Sequence, residues 1–491
     1  MGFYERLSAM DAAFLGIEDG NCHMHVGGVM IFDAAPLRTP EGGIDIARIR
    51  EAIEARLHLV PRFRQRLAYI PYERIPVWVD DDRFRLAYHV RHTALPRPGD
   101  ERALKRMVGR IMSQPLDRER PLWEMWVAEG LDGDRFALVS KTHHCMIDGV
   151  SGADLLSVIM SPHAEDQPAA PQPWRPRARP SDAELLVHEA IRRIAQPITA
   201  VQAVSEMVRD PEPQMRKVAD AVAGVLEAFA PALNPASPTP LNVEIGPHRR
   251  LDWLEMRIVD VKAIKKAFGG TLNDVVLAIV SGAVRTFLTK RGLDADALDI
   301  RALVPVSVRA HDERGQLGNR VTQLTASLPV NLDDPVQRLH VVHETTATLK
   351  ESRQALGGEV LMAVGEWTLP QLVVQAARLA ARTRPYSLIV TNVPGPQMPL
   401  YLLGALMRTA YPVVPLFQNL ALVVGLFSYN GSLYWGLNAD WDQIPDLRDF
   451  RRAIESAFRE LLDAAQAHVV RLPTRTRQAP SPLRPAEQKA S

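Results

Sequence analysis

Apolar and polar residues alternate with the period of a β-strand in two segments of the first 160 residues, 24–33 (MHVGGVMIFD) and 135–144 (RFALVSKTHH). Between them, residues 100–112 (DERALKRMVGRIM) follow a helical period instead. This spacing puts six apolar residues on one helical face: Ala103, Leu104, Met107, Val108, Ile111 and Met112. The mixture of strands and helices predicts an α/β unit.

The pattern changes after this unit. Residues 161–180 (SPHAEDQPAAPQPWRPRARP) are rich in proline and arginine and have the composition of a linker. Ser181 and Glu184 then have the spacing of a capping box, which predicts that helical segments begin there and continue to about residue 230. A second linker, residues 231–240 (PALNPASPTP), follows them.

Strands and helices alternate again from about residue 246. The pattern predicts strands over 251–260, 300–309, 322–332 and 386–396, and helices over 261–268, 273–292 and 446–470. We therefore expect two α/β units, 1–160 and 246–472, joined by a long and partly helical crossover, 161–245. The tail, 473–491, has the composition of a disordered segment.

The stretch that most suggests a membrane span, residues 410–428, contains Pro412, Pro415, Gln418 and Asn419. Asn430 and Gly431 follow it and precede another apolar run, which is a strong hairpin signal. We expect buried strands joined by a tight turn here, and no membrane span. The N-terminus has charged residues where a signal peptide needs an apolar core, and Arg6 where a myristoylation signal needs Ser or Thr.

Charge and cysteine content narrow the function classes. The 58 basic and 57 acidic residues give a formal net charge of +1, which argues against nucleic-acid binding. The two cysteines, Cys22 and Cys145, form no disulfide framework and indicate a reducing compartment.

The candidate chemistry lies in residues 141–150 (KTHHCMIDGV), where His143 and His144 stand between a predicted strand and a predicted helix. Such a strand-to-helix turn is a usual place for chemistry in α/β proteins. Three interpretations stay open on the residues alone: histidines satisfied within the fold, metal ligands, or a general base. The metal interpretation is disfavoured because no H-E-x-x-H motif and no paired cysteines occur.

Seven motifs in order resemble those of the bacterial wax ester synthase/acyl-CoA:diacylglycerol acyltransferase family, which has the chloramphenicol-acetyltransferase-like fold. The resemblance covers nearly the whole chain. It is carried by LSAMDAAFLGIEDGNCHMHVGGV, PLDRERPLWEMWVAEGL, HHCMIDG, IGPHRR with LNDVVLAIVSGAVR, VPVSVR, GNRVTQLTASLP and TNVPGP. Val243 and Glu244, which precede IGPHRR, depart from the family pattern.

This resemblance implies two chloramphenicol-acetyltransferase-like sandwich domains with the active site in a channel between them. It further implies an O-acyltransferase that uses acyl-CoA as substrate and needs no permanently bound cofactor. The acceptor would be diacylglycerol or a long-chain alcohol. The alternatives are a carrier-protein-dependent acyltransferase of the same superfamily and a non-catalytic lipid-binding paralogue.

The resemblance also assigns roles to residues. His144 would be the general base that takes the proton of the acceptor hydroxyl, while His143 is expected to be mainly structural. Asp148, in the same motif, would hold the turn through an ion pair with Arg309, and Gly149 would let the backbone turn tightly. The remaining site residues implied are Asn273, Asp274, Pro121, Leu122 and Trp123.

Asn273 would stabilise the oxyanion, although the residues alone favour it as the N-cap of the helix that follows. Asp274 completes the family's N-D pair as a structural residue at the site. Pro121, Leu122 and Trp123 would line the channel or lie in the core. Cys145 would be a bystander, and the N-V-P-G-P turn that starts at Asn392 would be architectural.

The implied lipid substrates, without a membrane span, predict a cytoplasmic protein that binds the inner membrane or lipid droplets peripherally. A local apolar patch would provide that reversible contact.

Overall fold

Two mixed sheets of six strands each form the framework of the protein, with a third sheet of three strands beside them. The computed structural model describes residues 3–72, 74–146, 158–166, 170–192, 235–307, 321–351 and 385–471. Asp148, Gly149, Arg309 and the tail 473–491 lie outside the described residues, as do most of the helical segments predicted up to residue 230.

The elements of the first unit follow the predicted mixture of strands and helices. The strands are β1 (Glu5–Arg6), β2 (His25–Asp33), β3 (Gln65–Tyr69), β4 (Pro76–Asp80), β5 (Val90–Ala94), β6 (Trp123–Leu131) and β7 (Arg135–His143). The helices are α1 (Ala9–Ile17), α2 (Ile46–Glu54), α3 (Leu86–His89) and α4 (Glu101–Met112), followed after the linker by α5 (182–192). The predicted capping box is confirmed, because Ser181 Oγ accepts from the backbone N–H of Glu184 and the Glu184 carboxylate accepts in return from that of Ser181.

The second unit contributes the remaining elements of the described residues. Its strands are β8 (Arg249–Arg257), β9 (Ile300–Ser307), β10 (Val321–Leu328), β11 (Leu388–Pro394), β12 (Tyr401–Leu402), β13 (Ala405–Val413), β14 (Leu422–Tyr429) and β15 (Ser432–Asp440). Its helices are α6 (Ile258–Phe268), α7 (Leu272–Lys290), α8 (Pro335–Glu351) and α9 (Leu447–Arg471). The predicted hairpin is confirmed: Asn430 and Gly431 have positive φ and join β14 to β15.

One predicted boundary was wrong. The strand expected over 251–260 ends at Arg257, and Ile258 already begins helix α6. Asp260 lies in the first turn of this helix, where a carboxylate is favoured by the helix dipole, and it pairs with the Arg257 guanidinium at 2.7 Å. These charges at the junction end the strand earlier than its apolar pattern suggests.

The two units share a sheet. The first large sheet has the order β12-β13-β2-β7-β6-β5, so two strands of the second unit complete the sheet of the first. Strand β13 pairs antiparallel with β2, with Tyr411 opposite Val29. The second large sheet has the order β10-β9-β11-β14-β15-β8, and its central strand β11 is parallel to both neighbours. The chain order of the units is therefore not the order of the sheets. The predicted α/β fold class is confirmed, and the bounds of the two units stay a prediction.

Helix α7 forms the centre of the second unit's hydrophobic core. It is the one helix in the described parts of the chain that is long and apolar enough to cross a membrane, but 72% of its apolar window is buried inside the protein. Its Val276, Ile279 and Val280 side chains pack in the same cluster as strands β11 and β14. Its apolar composition is therefore explained by core packing. The apolar stretch 410–428 contains most of β14 and part of β13, as the predicted buried strands require.

Strands β13 and β15 of the two large sheets approach so closely at Gly436 that a larger side chain there should destabilise the protein. A Cβ on Gly436 in β15 would stand 1.7 Å from the carbonyl oxygen of Pro412 in β13. We expect Gly436→Ala to lower the free energy of unfolding by about 1 to 3 kcal/mol, because the backbone of β13 would have to shift. Gly20→Ala is the control, since a Cβ there meets nothing within 4 Å. Equal stability of the two variants in urea unfolding would contradict this sheet-to-sheet contact.

Candidate active site

The two histidines of the H-H-x-x-x-D-G motif lie at the end of β7. His143 is the last residue of the strand and faces His25 of β2, and His144 begins a short 3₁₀ turn that ends at Met146. The His144 N–H donates to the Met24 carbonyl at 2.7 Å, and the His143 N–H donates to the Leu122 carbonyl at 2.9 Å. The backbone on both sides therefore fixes the position of this turn.

The His143 ring is enclosed in the protein, with 1% of the residue exposed. Its Nδ1 accepts from the Cys145 N–H at 3.1 Å, so the ring proton lies on Nε2. Nε2 is 3.5 Å from Glu18 Oε1. This geometry agrees with a structural role for His143, since both ring nitrogens face protein groups.

Glu18 is a site residue that the sequence interpretation missed. Its carboxylate accepts from Arg118 at 2.6 Å and from the Met24 N–H at 3.1 Å, and Oε1 is also 3.5 Å from Nε2 of His25. Burial raises the pKa of Glu18, but the contacts with His143 and Arg118 outweigh it and hold that pKa well below its usual range. The ionised carboxylate thus connects α1, the strand β2 and the histidine turn.

His144 has a different environment from His143. Its ring stacks on that of Phe14, with ring centroids 4.0 Å apart and an angle of 28° between the planes. Burial lowers the pKa of His144 to about 4, although a hydrogen bond to its own backbone acts in the opposite direction. The imidazole is therefore neutral near pH 7, and a neutral imidazole keeps one lone pair that can accept a proton.

The cysteine beside the histidine turn is not prepared for nucleophilic attack. Cys145 is buried, and burial raises the pKa of its thiol well above the ordinary value. The thiolate, which is the nucleophilic form, is consequently disfavoured at neutral pH. In the described ranges, no three His, Cys, Asp or Glu side chains are grouped so that they could hold a metal ion.

Asn273 lies at the start of α7 but does not cap it, so the N-cap interpretation was wrong. The N-cap is Thr271, whose side chain accepts from the Asp274 N–H, while the Asp274 carboxylate accepts from the Thr271 N–H at 2.7 Å. This capping box leaves the Asn273 side chain available for other contacts. Asn273 Oδ1 accepts from Nδ2 of Asn392 at 2.7 Å, which connects the start of α7 to strand β11. Asn392 therefore has a partner at the candidate site that its sequence context did not reveal.

Asp274 is fully buried, and its carboxylate is held by the N-cap residue of α7 and by residues of α8. Its carboxylate accepts from Thr346 Oγ1 at 2.7 Å and lies 2.9 Å from Nδ1 of His343, both on α8. Burial raises the pKa of Asp274, but hydrogen bonds from Thr346, Thr271 and His343 lower it below its usual value overall. Asp274 thereby fixes the start of α7 against α8.

Pro121, Leu122 and Trp123 are buried at the start of β6. The Trp123 indole donates to the Phe63 carbonyl at 2.8 Å, and its ring stacks on that of His89 with centroids 4.7 Å apart. Leu122 accepts the backbone hydrogen bond of His143. These residues pack in the core beneath the histidine turn, and their role in lining a channel stays a prediction.

Comparison with known proteins identifies the family. The description "Wax ester synthase/diacylglycerol acyltransferase catalytic domain" matches residues 7–276, and "WS/DGAT C-terminal domain" matches residues 317–462. A protein of Mycobacterium tuberculosis named a probable diacylglycerol O-acyltransferase is 33% identical over 472 residues, which cover 93% of this chain and 95% of that protein. The chain belongs to the wax ester synthase/diacylglycerol acyltransferase family. It is thus an acyltransferase, as the seven motifs indicate.

Solved structures support the same assignment for the fold. The wax ester synthase/diacylglycerol acyltransferase from Marinobacter aquaeolei VT8 has a TM-score of 0.66 and 28% identity, and the match covers 94% of this chain and all of that one. The starter condensation domain of rhizomide synthetase, solved with C8-CoA and Leu-SNAC, has a TM-score of 0.57 at 13% identity, covering 94% of each chain. The second likeness shows the fold alone, and the predicted chloramphenicol-acetyltransferase-like fold is confirmed.

The contribution of the Glu18 charge to the stability of this acyltransferase can be measured with a Glu18→Gln variant. We expect Glu18→Gln to lower the free energy of unfolding at pH 7 by about 1 to 3 kcal/mol, because Arg118 and the histidines lose their anionic partner. The control is Glu5→Gln, whose exposed ion pair with Arg62 should be worth less than about 1 kcal/mol.

The stabilising effect of the Glu18 charge should also depend on pH. Because the folded-state pKa of Glu18 is lowered, its charge stabilises the protein above the unfolded pKa of about 4.3 and loses this effect as pH falls towards the folded value. The stability difference between wild type and Glu18→Gln should shrink by about 1 kcal/mol between pH 7 and pH 3.5. A difference that does not change over this range in urea unfolding would show that the Glu18 carboxylate is not specifically stabilised.

Proposed function

We propose that this acyltransferase moves a long-chain acyl group from acyl-CoA to the hydroxyl of a lipid, with His144 as general base. The acceptor is diacylglycerol, giving triacylglycerol, or a long-chain alcohol, giving a wax ester. Membership of the family supports this substrate class, since its description and its relatives' names contain both activities.

The observation that carries the assignment of the base is the contrast between the two histidines. His143 Nδ1 accepts a backbone hydrogen bond and its Nε2 lies 3.5 Å from Glu18 Oε1, so protein groups face both ring nitrogens. His144 has a neutral ring on the turn after β7, next to α1 rather than within the strand. A general base must be deprotonated at the working pH, and the His144 ring is deprotonated near pH 7, although its lowered pKa also makes it a weaker base than a solvated histidine.

The proposed reaction is a direct transfer. The neutral His144 ring takes the proton of the acceptor hydroxyl while its oxygen attacks the thioester carbonyl of acyl-CoA. The tetrahedral intermediate then collapses, the C–S bond breaks, and the imidazolium returns the proton to the departing CoA thiolate. In this proposal the amide N–H of Asn273 stabilises the oxyanion, and its carbonyl oxygen is held by Asn392.

Asp148 and Arg309 are proposed to pair and hold the turn that follows His144, with Gly149 allowing its tight backbone. Pro121, Leu122 and Trp123 are proposed to shape the acyl path from beneath the site. We also propose that the protein is cytoplasmic and meets its lipid substrates by peripheral contact with the inner membrane or lipid droplets.

The proposal predicts different results for neighbouring residues. His144→Ala should reduce acyl transfer by about 10² to 10⁴, the usual contribution of a general base, while the unfolding transition stays nearly unchanged. Cys145→Ala, one residue away, should keep the activity because no acyl-enzyme is formed. An active His144→Ala enzyme, or loss of activity in a folded Cys145→Ala enzyme, would contradict the mechanism.

The substrate class is tested by product analysis. Incubation with labelled palmitoyl-CoA, diacylglycerol and hexadecanol together should yield labelled triacylglycerol, wax ester or both. Transfer that occurs only from an acyl carrier protein thioester would select the carrier-protein alternative. The absence of a product from either donor would favour the lipid-binding alternative.

A further inference from the structure

Phe14 is the residue of α1 that faces the histidine turn. Its neighbours Ala12, Ala13 and Leu15 are buried, whereas Phe14 remains partly accessible. Helix α1 packs against the turn His144–Met146, and its start is fixed by Ser8, whose hydroxyl accepts from the Asp11 N–H at 3.1 Å. The helix therefore holds the Phe14 ring in a defined place beside the turn.

The Phe14 ring covers one face of the His144 imidazole. With ring centroids 4.0 Å apart and planes 28° apart, the two rings are in stacking contact. A stacked neighbour blocks rotation of the imidazole about its χ2 bond, because rotation would drive the imidazole edge into the Phe14 ring. The edge that carries the ring nitrogens stays uncovered by this contact. Stacking thus limits the orientation of the imidazole without occupying the atoms that transfer a proton.

Phe14 also packs against a second cluster of buried residues. It contacts the first unit's core and a separate cluster that joins Cys22 and Met24 to Leu303, Ile389 and Leu416. Met24 in this cluster accepts the His144 backbone N–H. The Phe14 ring is therefore packed by both clusters in addition to its stacking on His144.

We propose that Phe14 is a positioning residue that clamps the His144 imidazole in the orientation needed for proton transfer. This inference rests on the proposed function of His144 as general base. A base displaced by a fraction of an ångström loses alignment with the acceptor hydroxyl, and such misplacement is costly in rate but leaves substrate binding intact. Phe14 should therefore affect turnover and not affinity for acyl-CoA.

The test compares Phe14→Leu with a matched change elsewhere. Phe84 stacks on His89 with centroids 5.1 Å apart and planes 14° apart, so Phe84→Leu removes the same kind of ring pair at a histidine that is not the proposed base. We expect Phe14→Leu to lower kcat at least about 10-fold with KM for palmitoyl-CoA changed less than about twofold. Phe14→Tyr, which keeps the ring, should restore most of kcat. Phe84→Leu should keep kcat even where urea unfolding shows a similar loss of stability.

Two results would overturn the inference: wild-type kcat in Phe14→Leu, or a parallel loss of kcat in Phe14→Leu and Phe84→Leu.

A second readout does not depend on activity. The ring signals of His144 should show one ring orientation in the wild type and line broadening from exchange between orientations in Phe14→Leu, and identical signals in both would refute the clamp. Wild type and His144→Ala, assayed in parallel, separate the two hypotheses. A fully active His144→Ala enzyme refutes the base, whereas the ring signals decide the clamp.

Discussion

The hydrogen bond from the His144 N–H to the Met24 carbonyl is the constraint on which the site depends. It holds the turn after β7 against the segment that precedes β2, and both strands lie at the centre of the first sheet. Burial at this position lowers the pKa of the His144 ring and favours its neutral form, because a charged imidazole would lose hydration there. The same turn buries Cys145, which raises the pKa of its thiol and disfavours the thiolate.

Two further sets of contacts make this geometry rigid. Glu18, at the end of α1, contacts both His143 and Arg118 within the first unit. Its carboxylate therefore connects segments that are about a hundred residues apart in the chain. Strand β13 then connects the units, since it belongs to the second unit by chain order and to the first sheet by pairing. The proposed base after β7 and the Asn273 amide held by Asn392 are thereby parts of one interlocked framework.

Sequence patterns that involve neighbouring residues predicted turns, caps and helices correctly in several places. The Asn430-Gly431 hairpin, the Ser181–Glu184 capping box and helix α4 each depend on residues a few positions apart, whose preferences act before the chain folds. The misassigned N-cap of α7 was also local: Thr271 and Asp274 have capping spacing, but Asn273 is an equally good N-cap type. In contrast, the pairing of β13 with β2 and the contacts Glu18–Arg118 and Asn273–Asn392 join residues about a hundred or more positions apart, and no periodicity encodes such partners. The seven motifs indicated the family and the histidine pair. They did not indicate which residues contact each histidine ring.

The surroundings of the His144 imidazole lower its pKa and favour the neutral ring at physiological pH. A pH titration of the ¹⁵N ring signals of His144, assigned by their loss in His144→Gln, measures this directly. We expect the ring to stay neutral from pH 8 to about pH 5 and to titrate near the lowered pKa of about 4. A titration midpoint near 6.5, the ordinary value for a solvated histidine, would contradict it.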